Sequence, residues 1–513
     1  MASHVLDLRK KRIAREKNDI LALEQRTEAA KLARDTAVHA FEQARAVMEE
    51  ASKEHAALFT RCASAREQLD ELCLSYRRDF IASLPLDVLR CIFTEAVALP
   101  RQLAHAFCFG NCHYQDYAQA PFVLAAVCRR WRNVALQHPS LWTYISTPNV
   151  MDKRTTERHC RRIQMILQRS QPCPLDVLIC WTREALAGPW EGCHALHTIL
   201  KAVLSAGHRW RTFELTLPFG AGKSEYIYAL KGPLPLLESF RFISIQGDNE
   251  FPTTPCFPFA PRLEEIAIWG PNALLPTPTG LSSLRSLRLW FHLSFAQMLP
   301  LISALSATLE SLAIGIDSEE AMPSPDIHLA LPKLTVLTLD IDQNMRHTFQ
   351  LFRVAKVHLP ALQRLFLAGR SICEDLSPFL EQIAASVGTL TLGDTIQPQH
   401  LDILRNLTSL RTLRFDDFNG NGELQCWYDL SDEFFAAVSV DIWPKLVDVH
   451  ILQGGVFRLD AGSGALAFIQ SRTLDAGGPA APCRLQEFMV GTEVPGWFTA
   501  EVARLLQNPK HVL

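Results

Sequence analysis

The sequence predicts an α/β chain: a long N-terminal helix, a module of short amphipathic helices, then a repeating array of short strands. Three observations carry that expectation. Residues 1 to 80 hold neither proline nor glycine. Residues 81 to 142 carry a heavy apolar load at helical spacing. From Trp210 onward one apolar phrase recurs through most of what remains. A chain of 513 residues exceeds one ordinary core, so several units are expected. The division read from the sequence is 1–80, 81–147, a mixed connecting and capping segment at 148–207, the array at 208–490, and a tail at 491–513.

The first segment is rich in alanine, glutamate, lysine, arginine and leucine, all good helix formers. Stepping by seven from Ile13 meets Ile20, Thr27, Arg34, Phe41, Met48, His55, Cys62, Leu69 and Tyr76. Three residues after most of these come Leu23, Ala30, Ala37, Ala44, Ala51, Leu58, Ala65 and Leu72. Such a heptad seam predicts a coiled coil, through which the chain would self-associate. The other reading is a solvated single helix. Arg9-Lys10-Lys11-Arg12 is either a nuclear-import patch or solvated charge at a helix start.

In the second segment Leu89, Ile92, Phe93, Ala96 and Val97 recur at three and four residues, the spacing of one helical face. Pro85 suits a first helical turn, and Asp87 places negative charge near the positive helix N-terminus. Leu124, Val127, Cys128, Trp131, Val134 and Ala135 form a second stripe, with Arg129, Arg130 and Arg132 off it, and Pro139 ends that helix. A plain helical hairpin packed on the rest of the chain is the alternative account of such a pair.

Several of these residues, in this order, resemble an F-box of the kind abundant in mushroom-forming fungi: Leu84-Pro85, Leu89, Ile92-Phe93, Val127 through Arg132, Ala135 and Pro139-Ser140-Leu141-Trp142. The resemblance covers about 60 residues, and departs from the family at Asp87, where glutamate is usual, and in a longer insert between the halves. It implies a three-helix module docking on the Skp-type adaptor of a cullin–RING ubiquitin ligase. Leu84, Pro85, Leu89, Ile92, Phe93, Val127, Cys128 and Trp131 would then bury into the adaptor or hold the helices that do.

Beyond Thr147, residues 158–170 read as helix, 174–180 as a short strand and 194–204 as helix. The recurring phrase is an apolar residue, two variable ones, an apolar residue, one variable and another apolar. It runs from Trp210-Phe213-Leu215 and Leu237-Phe240-Phe242 to Leu446-Val449-Ile451 and Leu485-Phe488-Val490. Successive starts lie 21 to 28 residues apart as far as Leu410, then 36 and 39. Proline often precedes the phrase, as at Pro235, Pro261, Pro332, Pro360 and Pro444, and residues 294–305 and 376–387 read as connecting helices. Period and pattern resemble a divergent leucine-rich-repeat solenoid, without the asparagine that often follows the strand. A doubly wound α/β sheet is the rival, but it wants longer apolar strands and a glycine-rich phosphate turn.

The solenoid resemblance implies a concave parallel sheet whose outward positions meet a partner protein. Those positions are Arg241, Trp269, Arg288, Trp290, Asp340, Phe366, Arg414 and Asp416, with Asp448 and His450 beyond. Tryptophan and arginine are common interface anchors. A one-residue slip in phase would bury these side chains instead.

Composition narrows the function classes. A net charge of −3 gives no basic field for nucleic acid. Fourteen cysteines without a CxxC pair fit reduced thiols in cytosol or nucleus. The start MASHVLDLRKKR lacks the apolar core of a signal peptide, and no run of 18 apolar residues suggests a membrane span. Gly220-Ala221-Gly222-Lys223-Ser224 ends like a phosphate loop but has Leu217 where its first glycine belongs. His105, Cys108, Cys112 and His113 match no usual zinc frame, and His159-Cys160 and Cys193-His194 lack an orienting third group. The expectation is a non-catalytic substrate receptor of a ubiquitin ligase, with no cofactor. The alternative is a repeat scaffold whose F-box-like helices cap the array.

Overall fold

The computed structural model describes residues 2–98, 115–147, 153–180, 191–217, 230, 232–244, 254–269, 274–290, 295–315, 328–340, 356–368, 376–393, 400–415, 432–438, 442–451, 462–473, 483–490 and 494–506. The chain divides into two compact units, Met1–Val88 and Leu89–Leu513.

The first unit is almost wholly helix α1, Ala2–Ser83, an unbroken run of 82 residues. Ion pairs one turn apart line its surface, among them Arg12–Glu16 at 3.2 Å and Arg45–Glu49 at 3.0 Å. Each such pair stabilises a helix by only a few tenths of a kcal/mol, about 0.2–0.5. Residues 7–74 are exposed throughout, so propensity and local pairs alone support α1 within its own chain. Helix α2, Leu86–Val97, starts directly after Pro85 with Asp87 in its first turn, where a carboxylate favours the helix dipole.

In the second unit, α3 (Gln115–Val127) and α4 (Arg129–Leu136) follow, then a 3₁₀ turn at Pro139–Trp142 and strand β1 (Tyr144–Ser146). Cys128 caps α4: its Sγ accepts a hydrogen bond from the Trp131 backbone N–H at 3.4 Å. Helix α5 (Lys153–Arg169), strand β2 (Leu175–Cys180) and helix α6 (Glu191–Leu204) come next.

Among the described residues, thirteen parallel strands form the main sheet. After β2 they are β3 (Trp210–Leu217), β4 (Ser239–Ser244), β6 (Glu265–Trp269), β8 (Ser286–Trp290), β9 (Ser311–Gly315) and β11 (Val336–Asp340). There follow β13 (Arg364–Ala368), β14 (Thr389–Gly393), β15 (Thr412–Phe415), β16 (Asp448–Ile451) and β17 (Glu487–Val490). The remaining short strands pair separately, β5 (Thr254–Cys256) with β7 (Leu274–Pro276) and β10 (His328–Ala330) with β12 (Lys356–His358). Each main strand lies beside the next in chain order. A doubly wound sheet instead reverses its strand order at a switch point.

The last two apolar residues of every recurrence fall on one of these strands, but the sheet begins earlier than Trp210. β1 lies in the segment read as helical module, and β2 in the connecting segment; β1 pairs with β2 and β2 with β3. The segment 148–207 is therefore part of the sheet's own layer sequence.

Alternation explains which side chains form the core. One register line runs Phe213, Phe240, Ile266, Leu287, Leu312, Leu337, Leu365, Leu390, Leu413, Val449 and Phe488. A second, two residues on, runs from Leu215 through Phe242, Ile268 and Leu289 to Ile451. Both lines are buried, as period-two geometry demands of one sheet face.

The prolines act through turn geometry. Leu237, Leu263, Leu334, Leu362 and Leu446 each donate their backbone N–H to the carbonyl three residues back, at 3.0–3.2 Å. This places Pro235, Pro261, Pro332, Pro360 and Pro444 at the second position of a β-turn, whose φ the proline ring already holds. The leucine leaving each turn is completely buried.

Candidate functional site

Two surfaces carry the predicted site residues. The first is the helical module. Leu89 and Phe93 of α2 are completely buried within the chain, and Phe93 meets the Trp131 ring of α4 edge-on at 4.8 Å. Trp142 is buried as well, donates its indole N–H to the Ala135 carbonyl at 2.8 Å, and meets Phe122 of α3 edge-on. Arg132 ties α4 to α3 by donating to the Ala125 carbonyl at 2.9 Å.

The second unit also packs the module against the start of the sheet. Arg162 and Arg169 of α5 lie over the Phe122 and Trp142 rings at 5.0 and 4.4 Å. Of the two roles the resemblance gave Leu89 and Phe93, holding the helices is the one their burial fits. Trp131 is half-buried beside Phe93. Ile92 and Val127 are exposed, at 44% and 57%, and Val123 of α3 at 60%. Cys128 is exposed but engaged as the α4 cap. Leu84 is half-buried and Pro85 exposed, both in the first unit.

The second surface is the sheet face opposite the apolar ladders. Register puts Glu214, Arg241, Ala267, Arg288, Ala313, Thr338, Phe366, Thr391, Arg414, His450 and Met489 in one line across it. Arg241, Trp269, Arg288, Trp290, Phe366 and Arg414 therefore lie on the face opposite the apolar ladders. Exposure is not what was expected of two of them. Arg241 is buried between carboxylates, its Nη2 donating to Glu265 Oε1 at 3.2 Å and its Nη1 3.9 Å from Glu214 Oε2. Arg288 approaches the same Glu265 oxygen at 3.7 Å. Trp290 is 2% exposed, packed among Ile243, Ala267 and Ala313 with Trp269 stacked on it at 5.3 Å. Two small residues, Ala267 and Ala313, stand on the strands either side of it, which makes room for the indole.

This network shifts its members. Burial pushes the Glu214 carboxyl up; Arg241 opposes that, while Glu265 adds to it. Burial lowers the Arg288 guanidinium, with Glu265 opposing and Arg241 reinforcing.

From β13 onward the same line is half-buried rather than closed: Phe366, Arg414, His450 and Met489 all keep partial exposure. His450 Nε2 lies 3.3 Å from Glu487 Oε2, and Thr412 donates to Asp448 Oδ2 at 3.2 Å. The Asp340 side chain and Asp416 lie outside the described residues, as do Gly220–Ser224, the His105–His113 group and the side chains of Cys193 and His194.

No constellation for metal chemistry emerges among the described residues: no three histidine, cysteine or acidic side chains converge to hold an ion. His159 is buried, with its ring held well below the ordinary histidine range, and burial raises the adjacent Cys160 thiol, the reverse of an activated nucleophile. Among the described residues no helix is long and apolar enough to cross a membrane. The chain matches no protein-family model and no curated protein.

Proposed function

We propose that this chain is a substrate-receptor subunit of a Skp–cullin–F-box type ubiquitin ligase, with no cofactor and no bond-making role of its own. Its helical module would dock on the Skp-type adaptor, and the outward face of its repeat array, a divergent leucine-rich-repeat solenoid, would hold a target protein. The ligase would then work by proximity, converting an encounter between two bodies into a local one. The observation that supports the reading is the division of labour in the module. Leu89, Phe93 and Trp142 fill its interior, while Ile92, Val123 and Val127 remain on the surface of helices already held in place. Apolar side chains left outward on a self-supported helical module are what an adaptor groove would cover. For the target, the half-open stretch around Phe366, Arg414 and His450 is the better-suited part of the sheet face.

A second reading has its own support. The module packs on β1 and α5 through Trp142, Phe122, Arg162 and Arg169, as the cap of a repeat array would. Co-purification with a Skp-type adaptor separates the two. Wild type should bind, and Ile92→Asp and Val127→Asp should not, with unchanged melting temperatures, because each puts an unpaired carboxylate into the docked interface. Leu89 and Phe93 are unsuitable for this test, since charge there would unfold the module. Failure of a well-folded wild type to bind would overturn the ligase reading in favour of the scaffold.

A further inference from the structure

We infer that helix α1 pairs with a second copy of this chain and that the two helices run antiparallel. Three observations lead there. First, α1 is a continuous 82-residue helix whose large apolar side chains, Ile13, Ile20, Phe41, Met48 and Leu69 among them, are 55–68% exposed. A helix that polar and that long needs a partner along its seam. At 1.5 Å per residue it is about 120 Å long, so a seam about 10 Å wide offers on the order of 1,000 Å². That exceeds the roughly 800 Å² per partner of a standard stable interface.

Second, the seam is uneven. Its first position in each heptad is mostly large, as at Phe41 and Met48, while the fourth is alanine at Ala30, Ala37, Ala44 and Ala51. A parallel in-register pair stacks like on like: Phe41 against Phe41, then Ala44 against Ala44. Large layers hold the helix axes near 10 Å and alanine layers want about 8 Å, so alternating them leaves gaps or clashes. An antiparallel pair sets the large residues in the middle of the helix against alanines. With Ile20 opposite the second copy's Leu72, Phe41 meets the second copy's Ala51 and Met48 its Ala44.

Third, charge argues the same way. In a parallel pair the flanking positions set Arg12 against the second copy's Lys17, Asp19 against its Glu24, Arg26 against its Lys31 and Arg61 against its Arg66. Arg34 would also face its own equivalent inside the seam. In the antiparallel register Glu24 lies beside the second copy's Arg66, like charges meet in that line only at Arg45 and its own equivalent, and Arg34 lies against the second copy's Leu58, where the aliphatic stem packs and the guanidinium reaches water.

Cysteine chemistry tests this on the full-length chain. Cys62 sits on the seam and is a free, exposed thiol. Sedimentation should give a dimer. On mild oxidation, peptide mapping of Ala30→Cys should find a Cys62 cross-link to position 30 of the other copy, because the register opposes those sites. A Cys62–Cys62 disulfide in wild type would establish a parallel pair and overturn the inference; a monomer at tens of micromolar, an order-of-magnitude choice for such interfaces, would overturn it outright. Leu58→Glu gives a second readout. An antiparallel dimer keeps its affinity, since the new carboxylate meets the second copy's Arg34, whereas a parallel one loses on the order of tenfold or more from facing carboxylates. Adaptor co-purification is read separately, so failure here leaves the ligase reading standing and the reverse.

Discussion

His159 makes the acid stability of this fold predictable. Its ring, on α5, is 8% exposed, and Nε2 has no hydrogen-bond partner among the described residues. Burial is the main force holding its pKa down to about 4; the nearby Arg162 charge adds to that, and a hydrogen bond with the Ser146 backbone works against it. In the folded chain the imidazole therefore stays neutral until the solution is strongly acidic. In the unfolded chain it takes up its proton near pH 6.5. The unfolded state binds the proton first as pH falls, so stability declines from about pH 6.5 and the loss is complete only below about pH 4.

The size follows from the gap. A difference of about 2.5 pKa units is worth about 3 kcal/mol in full, at about 1.4 kcal/mol per unit. At pH 5.0 the unfolded histidine is nearly all charged and the folded one nearly all neutral, which gives about 2 kcal/mol. Urea unfolding at pH 7.5 and pH 5.0 measures it, comparing wild type with His159→Gln, whose amide can serve Ser146 without titrating. Wild type should lose about 2 kcal/mol more than the variant between the two pH values. Equal losses in both proteins, or an NMR titration of the folded His159 ring near 6.5, would refute the reasoning.

Two further outcomes follow from packing. Arg209 donates to the Cys173 carbonyl from Nε at 3.0 Å and Nη2 at 2.7 Å, to Leu167 O at 3.2 Å and to Ser170 Oγ at 2.7 Å. It closes the C-terminal end of α5, so Arg209→Met should cost about 2 kcal/mol by chemical unfolding, as charged hydrogen bonds to partly buried carbonyls are lost; a change within error would show those carbonyls find other donors. A Cβ at Gly280 would lie 2.5 Å from the Phe257 carbonyl oxygen and 2.9 Å from that of Pro258. Gly280→Ala should therefore lower stability by about 1–3 kcal/mol, read as a shifted urea midpoint.

The strands were legible because period-two alternation is local: Leu287 and Leu289 declare their face within five residues. The proline turns were legible for the same reason, since a ring that holds φ needs no distant partner. β1 was not, because Tyr144–Ser146 is too short to show a period and lacks the leading leucine. The fate of the outward residues was also out of reach. Whether Trp290 faces solvent depends on Ala267 and Ala313, each more than twenty residues away, and whether Arg241 is free depends on Glu214 and Glu265. Phase is written in a strand; exposure is written in its neighbours. In the helical module, likewise, the stripe through Leu89, Ile92 and Phe93 was visible, but not that Phe93 would spend itself on Trp131 while Ile92 stayed outward.

The buried Arg241 and the half-buried Glu214, Glu265 and Arg288 across β3, β4, β6 and β8 are better explained as a register device than as a source of stability. Taking Glu214, Arg241, Glu265 and Arg288 out of water costs much of what their attraction returns, so a well-packed apolar set could hold the strands as firmly. What an apolar set could not do is resist slippage. Both faces of this stretch carry large apolar side chains, with Phe240 and Phe242 on one and Ile243, Trp269 and Trp290 on the other. A slip of one residue would exchange those faces at little hydrophobic cost, were it not for the charges. With them, the same slip drives Arg241 and Glu265 into the leucine ladder without partners, a heavy penalty for unpaired ions. Glu265 is the centre of the device, reaching Arg241, Arg288 and the Ser239 hydroxyl from one side chain. The consequence is spatial: this end of the sheet face is committed to holding its own strands in register, whereas from β13 onward Phe366, Arg414 and His450 keep partial exposure.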